Sequence, residues 1–422
     1  MPPAHDLDDL SDPESVPAVR SRSIAILRSP WAPALVFSLL CLFVGFGLEL
    51  ALGQHSWYSP RDVWTSFRGG QYLIWGDYAA ALHYVSAPGT AILLAPPAFV
   101  AYHLGLVGAF PFPLLHPPAW EVLCPYMAVI GATIVPAADS LARVLGTPER
   151  HRIALNWAIV CFAVPVIALW GHPEDVVALA IAMQGAKLAI EGKWHGAGWL
   201  FGFAVTIQPL VLLVLFPVMA LGAPRRWPGI VVRSAVPTLT VMAIPVLTTG
   251  GDVLRFMQEP NYIVPNFPTP FVWLGPSAGH NLISAAPERA LAVLVAVLIG
   301  YLAWRRQVTP VGAIWCAALA MGARVVLEPV LTPYYLWPMA ALALVVIAAT
   351  NRWWATAPLA AVSSLAYFHR EPWLYWIPIV LLVAVVTVGT APAALRRSAR
   401  VATQPEPEPA RRGSPGIATG HG

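Results

Sequence analysis

Charge is what this sequence has least of. Asp, Glu, Lys and Arg make up 11% of its 422 residues, against 58% hydrophobic, where a soluble globular chain carries about 25% charged residues. A water-soluble catalytic domain is excluded on that ground. So is a nucleic-acid binder with a basic surface: the net charge is only +4, and the arginines sit near the ends of apolar stretches, where they orient helices in a bilayer. Cysteine is scarce as well. Cys41, Cys124, Cys161 and Cys316 lie in or beside apolar segments and make no C-x-x-C pair, so they are expected as small core residues, neither bridged nor metal-bound. Metal-ligand spacing such as H-E-x-x-H is missing, and Gly69-Gly70 is not part of a phosphate loop. No metal and no resident cofactor is expected. Nor is a cleavable leader, since the first apolar run begins near Trp31 and is too long for one.

What the chain has in abundance is apolar length, tryptophan and proline. Many stretches reach the roughly 20 apolar residues that cross about 30 Å of hydrocarbon as a helix. The fold class this implies is all-α: a polytopic helical membrane protein of about 12–14 transmembrane segments. The 18 Trp suit the two membrane–water interfaces. The 43 Pro imply broken helices and structured loops, tolerated at depth where neighbours or water take up the freed carbonyls.

Residues 1–28, acidic and then basic, read as a disordered cytoplasmic tail. Residues 29–392 form the membrane domain, and 393–422, rich in Pro, Glu and Arg, a second disordered cytoplasmic tail. A first external loop (53–84) carries aromatic segments suited to short helices lying in the interface, and a large external loop covers 248–287. Spans are expected over Trp31–Leu52, 120–142 and 153–170, with Arg143, Arg150 and Arg152 in a loop between the last two. Residues 197–221 read as a hairpin of two short helices turning at Gln208-Pro209, because basic residues flank both ends. Segments read this way number thirteen, whereas two cytoplasmic termini require an even number; 85–118 is where the chain either crosses twice or dips in and returns.

One stretch organises the rest: Leu169-Trp170-Gly171-His172-Pro173-Glu174-Asp175, where one apolar segment ends and the next begins. Pro173 suits the first turn of a helix, where its missing N–H is not needed, and Glu174 and Asp175 then fall where the helix dipole favours negative charge. Capping accounts for the acids. It accounts less well for His172 beside them, or for a second polar group downstream: Arg324, Glu328, Tyr334 and Tyr335. The other reading is that both groups face one water-accessible cavity at the membrane boundary and bind a polar substrate. Gln208 interrupts an apolar segment; it either contacts substrate or satisfies backbone freed by Pro209. Arg324 and Glu328, four residues apart, share a helix face and pair. That pair is structural, or else it presents Arg324 to a phosphate, which guanidinium binds well. Tyr334 and Tyr335 are interfacial anchors or part of the cavity. In the first external loop, Asp62 is a general base for an acceptor hydroxyl, a solvated acid, or the N-cap of a helix starting at Val63; Asp77 is its rival. His280-Asn281 and His369-Arg370-Glu371 read as solvated loop residues.

Several stretches follow one another in a telling order. Asp62 is followed by Phe67, Gly69, Gly76 and Tyr84, then by Ala87-Pro88-Gly89 with Leu93-Leu94-Ala95-Pro96. Next come Gly171-His172-Pro173-Glu174-Asp175 and Ala197-Gly198-Trp199-Leu200-Phe201-Gly202-Phe203-Ala204, ending at Gln208-Pro209. Last is Arg324-Val325-Val326-Leu327-Glu328-Pro329-Val330 with Tyr334-Tyr335. Taken together, along most of the span region, these resemble actinobacterial multi-spanning proteins related to the GT-C glycosyltransferases, above all the polyprenyl-phosphate-mannose-dependent mannosyltransferases.

The resemblance implies a GT-C-like fold. It also implies inverting transfer of a sugar, mannose or another hexose or pentose, from a polyprenyl-phosphate donor to an envelope lipid or polysaccharide acceptor on the external face. Asp62 would deprotonate the acceptor and Arg324 would hold the donor phosphate, with no metal and no cofactor. His172, Glu174, Asp175, Gln208, Glu328, Tyr334 and Tyr335 would line the substrates. Two motifs depart from the family: Gln208 stands where Lys commonly precedes the Pro, removing a charge, and His172 and Glu174 replace a Gly-Gln type motif. The partners implied are the lipid-linked donor, the acceptor and membrane lipids, with no nucleic acid. The competing class is a transporter or lipid flippase whose Arg324–Glu328 pair couples to ions or substrate; a non-catalytic subunit of an envelope complex is the third. No inverted internal repeat is visible.

Overall fold

The structure, a computed structural model, describes residues 29–52, 61–83, 87–106, 119–249, 262–263, 269–273, 282–283, 286–329, 331–368 and 376–395. The expected tail 1–28, nearly all of 393–422 and most of the large loop 248–287 lie outside it, as do His280, Asn281, His369, Arg370 and Glu371. Among the described residues, regular structure is helical apart from one antiparallel pair of two-residue strands, β1 (Tyr262–Ile263) and β2 (Leu282–Ile283).

The first apolar segment is a helix over the expected residues, α1 (Trp31–Leu52). Two short helices follow, α2 (Arg61–Ile74) and α3 (Tyr78–His83), and then α4 (Pro88–His103), continuous through Pro96 and Pro97. The 16 residues of α4, at 1.5 Å each, cover about 24 Å, so the described part of 85–118 holds one short helix and no second crossing. The next span is a rod in two pieces, α5 (Trp120–Gly131) and α6 (Ile134–Val144). α7 (Glu149–Ala168) takes in Arg150 and Arg152, which were expected in a loop. Glu149 sits in its first turn, where the dipole favours it, so the helix starts ahead of the apolar run.

The remaining helices are α8 (Pro173–Ile190), α9 (Trp194–Ile207), α10 (Leu212–Met219), α11 (Trp227–Thr249), α12 (Ala286–Arg305), α13 (Pro310–Leu327), α14 (Trp337–Thr350), α15 (Thr356–Phe368) and α16 (Trp376–Leu395). The hairpin expected at Gln208-Pro209 is instead a broken helix. Gln208 is extended (φ −142°, ψ 103°). α9 packs against α8 and α11, and α10 against α12 and α13. The arms of a hairpin would pack along each other.

Among the described residues, five segments are long and apolar enough to cross a membrane: Trp120–Val144, Glu149–Ala168, Pro224–Ile244, Pro287–Arg305 and Pro310–Leu327. These and other helices present bare apolar side chains outward, Phe43 on α1, Leu239 on α11, Leu294 on α12 and Leu381 on α16 among them, the surface that lipid contact requires. At the centre lie α8 and α14. Every residue of α14 from Trp337 to Ala348 is buried, as a helix apolar all round must be. Cys41, Cys124 and Cys316 are buried as expected, but Cys161 is exposed.

Lipid is as apolar as leucine, so helices in a membrane associate through close packing rather than the hydrophobic effect. Glycine supplies that closeness here. A Cβ at Gly70 would stand 2.6 Å from Leu94 O, one at Gly89 2.6 Å from Thr206 O, and one at Gly202 2.8 Å from Arg233 O. In each case the obstacle is backbone, which cannot rotate away. Gly202→Leu is expected to destabilise the fold by about 1–3 kcal/mol or more by forcing α9 off α11. Gly47→Leu, with nothing within 4 Å of its Cβ, is the control. Thermal unfolding in detergent checks this, and equal melting of the two variants would contradict it.

Candidate functional site

The site begins at a glycine turn. Gly171 has φ +64°, which glycine adopts without steric cost. The N–H groups of Gly171 and His172 donate back to Ile167 O and Val166 O. These bonds close the end of α7 and deliver His172 to the start of α8. Pro173 takes the first helical position. His172 does not cap the helix with its side chain. Its Nδ1 lies 2.9 Å from Glu174 Oε1, both residues being buried. An ionised carboxylate only accepts, so in that pair Nδ1 carries the proton. Glu174 Oε2 has no hydrogen-bond partner among the described residues. Asp175 is held from the end of the neighbouring helix α9: Gln208 Nε2 donates to its Oδ1. The carbonyl at the break in the chain, Ile207 O, accepts instead from Thr90 Oγ1 at 2.9 Å. The Gln208 side chain is therefore spent on a buried acid rather than on the backbone beside Pro209.

The second group arrives through the short turn Pro333–Leu336 that feeds α14. The Tyr334 ring stacks on the His172 imidazole, centroids 3.7 Å apart and planes 22° from parallel. Trp170 lies 5.6 Å from the same ring and Tyr335 4.7 Å, the latter edge-on. Arg324 Cζ sits 4.2 Å over the Tyr335 ring, and Arg324 Nε is 3.2 Å from Glu328 Oε2. A continuous line of contacts thus runs from Glu174 through His172, Tyr334, Tyr335 and Arg324 to Glu328. Asp175 and Arg324 are within electrostatic reach of each other. The two central helices, α8 and α14, begin at this one place.

Glu328 leaves the helix just past α13 and is shared, its Oε1 standing 3.6 Å from Arg289 Nε. Glu288, 1% exposed, is close enough to Glu328 to feel its charge, and neither of its carboxylate oxygens has a hydrogen-bond partner among the described residues. The arrangement offers a buried imidazole–carboxylate pair, two further buried acids, Asp175 and Glu328, a guanidinium and three aromatic rings. Tyr334 also lines a largely apolar groove of about 290 Å³ with Cys161, Phe162, Pro165 and Trp337.

The structure therefore brings together His172, Glu174, Asp175, Gln208, Arg324, Glu328, Tyr334 and Tyr335. Tyr335 is buried and Tyr334 half-buried, so neither stands outward as an interfacial anchor. Asp62 falls in the first turn of α2, which starts at Arg61 rather than Val63, so it is not the N-cap; its side chain lies outside the described residues. Asp77 caps α3, accepting from Ala80 N at 3.0 Å. Sequence reasoning missed Glu288 and Arg289, whose only signal was a charged pair opening an apolar run. It also missed Asp139, 4% exposed, which accepts from Arg143, Arg152 and Asn156 and ties α6 to α7. Comparison with protein-family models, with characterised proteins and with solved structures finds no match to this chain.

Proposed function

We propose that this chain is an integral membrane glycosyltransferase of the GT-C kind. On this reading it is a multi-pass cell-membrane protein of about 12–14 segments, with both termini cytoplasmic. It moves a sugar from a polyprenyl-phosphate donor to an envelope lipid or polysaccharide. The observation that carries the reading is the stacking of His172 on Tyr334. It joins two polar stretches far apart in sequence into one buried site, with an apolar groove suited to a lipid chain beside it. A sugar needs acids and aromatic faces, its lipid carrier needs an apolar path, and both are adjacent at Tyr334.

In the step proposed, the Asp62 carboxylate takes the proton of an acceptor hydroxyl. The acceptor oxygen then bonds to the anomeric carbon as the bond to the carrier phosphate breaks, and the phosphate leaves with the electron pair. Arg324 is the cation assigned to that phosphate. One observation favours a different class. A carboxylate as buried as Glu328, shared by two arginines, also suits a transporter or flippase that couples to charge.

The test is transfer from radiolabelled polyprenyl-phosphate-mannose to an envelope-lipid extract by the protein purified in lipid. Wild type is expected to transfer, and Asp62→Asn to lose about 10²–10⁴-fold. Equal transfer by both would move the base to Glu174 or Asp175. Neither transfer nor donor binding would overturn the transferase in favour of the transporter or a silent subunit.

A further inference from the structure

A second site lies at the far end of α8. The 18 residues of that helix, at 1.5 Å each, place its C-terminal end about 27 Å from Glu174 and Asp175, nearly the thickness of a hydrocarbon core. There the α8–α9 turn and the turn leading into α11 enclose a cavity of about 480 Å³, within the range of small-ligand sites. Lys193, Arg225, Arg226 and Arg233 line it. The carboxylate at its edge, Glu191, is engaged: Lys193 Nζ donates to it at 2.8 Å, and Lys187 Nζ is 3.9 Å away. The Lys193 hydrogen bond holds the Glu191 carboxyl below the usual range. Among the described residues no carboxylate pairs with Arg225, Arg226 or Arg233.

Arginines at the ends of membrane helices ordinarily reach out one by one. Two of these are held in place. Arg233 Nη1 donates to Gly229 O at 2.6 Å and lies where a side chain at 229 would stand, 2.8 Å from the Cβ position. Arg226 Cζ lies 5.8 Å over the ring of Trp194, which is buried in the cavity wall. Pre-positioned guanidinium forks without a carboxylate, facing a concave space, match the oxygens of a phosphate. We propose that this cavity binds a phosphate-bearing anion, through Arg226 and Arg233 above all. The site is separate from the chemistry at His172.

The test is native mass spectrometry of the purified, lipid-stripped full chain. It is titrated with dioleoyl phosphatidic acid, with dioleoyl phosphatidylcholine as reference, and separately with inorganic pyrophosphate. Wild type is expected to prefer phosphatidic acid, and Arg226→Gln/Arg233→Gln to weaken it about tenfold or more. Arg305→Gln/Arg306→Gln, exposed cations at another helix end, should change it by less than about twofold. Arg225→Gln, which disturbs neither the Trp194 nor the Gly229 contact, should weaken binding in the same direction and reports independently of the double variant's folding. Pyrophosphate binding with the same variant pattern supports a free phosphate compound; binding of phosphatidic acid alone supports a lipid headgroup. Equal losses in the two double variants would overturn the proposal. So would the absence of any phosphatidic acid preference together with no pyrophosphate binding.

Discussion

Arg324→Met is expected to lower the stability of the folded protein by about 3–5 kcal/mol. Arg324 is 3% exposed and Glu328 1%, so neither charge has water to fall back on. The guanidinium does two things at once, pairing with Glu328 and lying over Tyr335. Removing it leaves a buried carboxylate with Arg289 at 3.6 Å as its remaining ion-pair partner among the described residues. Methionine fills much of the volume, so the loss is electrostatic rather than a cavity. The decisive comparison is Arg324→Met/Glu328→Met. A buried ion pair is often replaceable by well-packed apolar residues with little cost, whereas half of one is not. Unfolding in detergent micelles should show the single variant well below wild type and the double variant recovering most of the difference. A double variant as unstable as the single would mean that Arg324 stabilises through Tyr335 and packing, not through Glu328.

On the proposed transferase function, Glu174→Gln is expected to lower sugar transfer by about 100-fold or more while leaving the fold intact. Glutamine retains an oxygen that accepts from His172 Nδ1 across the same 2.9 Å, so the geometry survives and the negative charge does not. His172→Phe is the complementary change: it keeps a ring to stack on Tyr334 and removes both nitrogens. Groups that act as a unit are not additive, so the double variant should be little worse than either single. The loss belongs in kcat if the pair acts on the reacting groups, and in KM if it only holds substrate. Unchanged transfer in both variants, with lowered melting temperatures, would assign the pair to structure.

The resemblance that prompted the transferase reading looks different once the helices are packed. Gly89 lets α4 reach the backbone of α9, and Gly198 and Gly202 let α9 lie against α11. Positions that read as motif glycines are thus contact points between helices, a demand any tight membrane bundle makes. The polar positions are another matter. Glu174 bonds the side chain of the N-cap residue His172, and Asp175 turns away from its own helix to Gln208.

Apolar length and the position of Pro173 were enough to place most helices and the start of α8, because hydrophobic run length and helix-start chemistry are local properties. The presence of a polar cluster where His172 stands, and the pairing of Arg324 with Glu328 four residues on, were legible for the same reason. Contacts between segments distant in sequence were not. Only the tertiary structure could bring Tyr334 onto His172, give Asp175 to Gln208, seat Arg289 beside Glu328 and turn Arg226 and Arg233 toward one cavity. It also split the expected hairpin at Gln208-Pro209 into helices with different neighbours. A proline says that a helix breaks; which way each half then goes is decided by the surfaces that receive it.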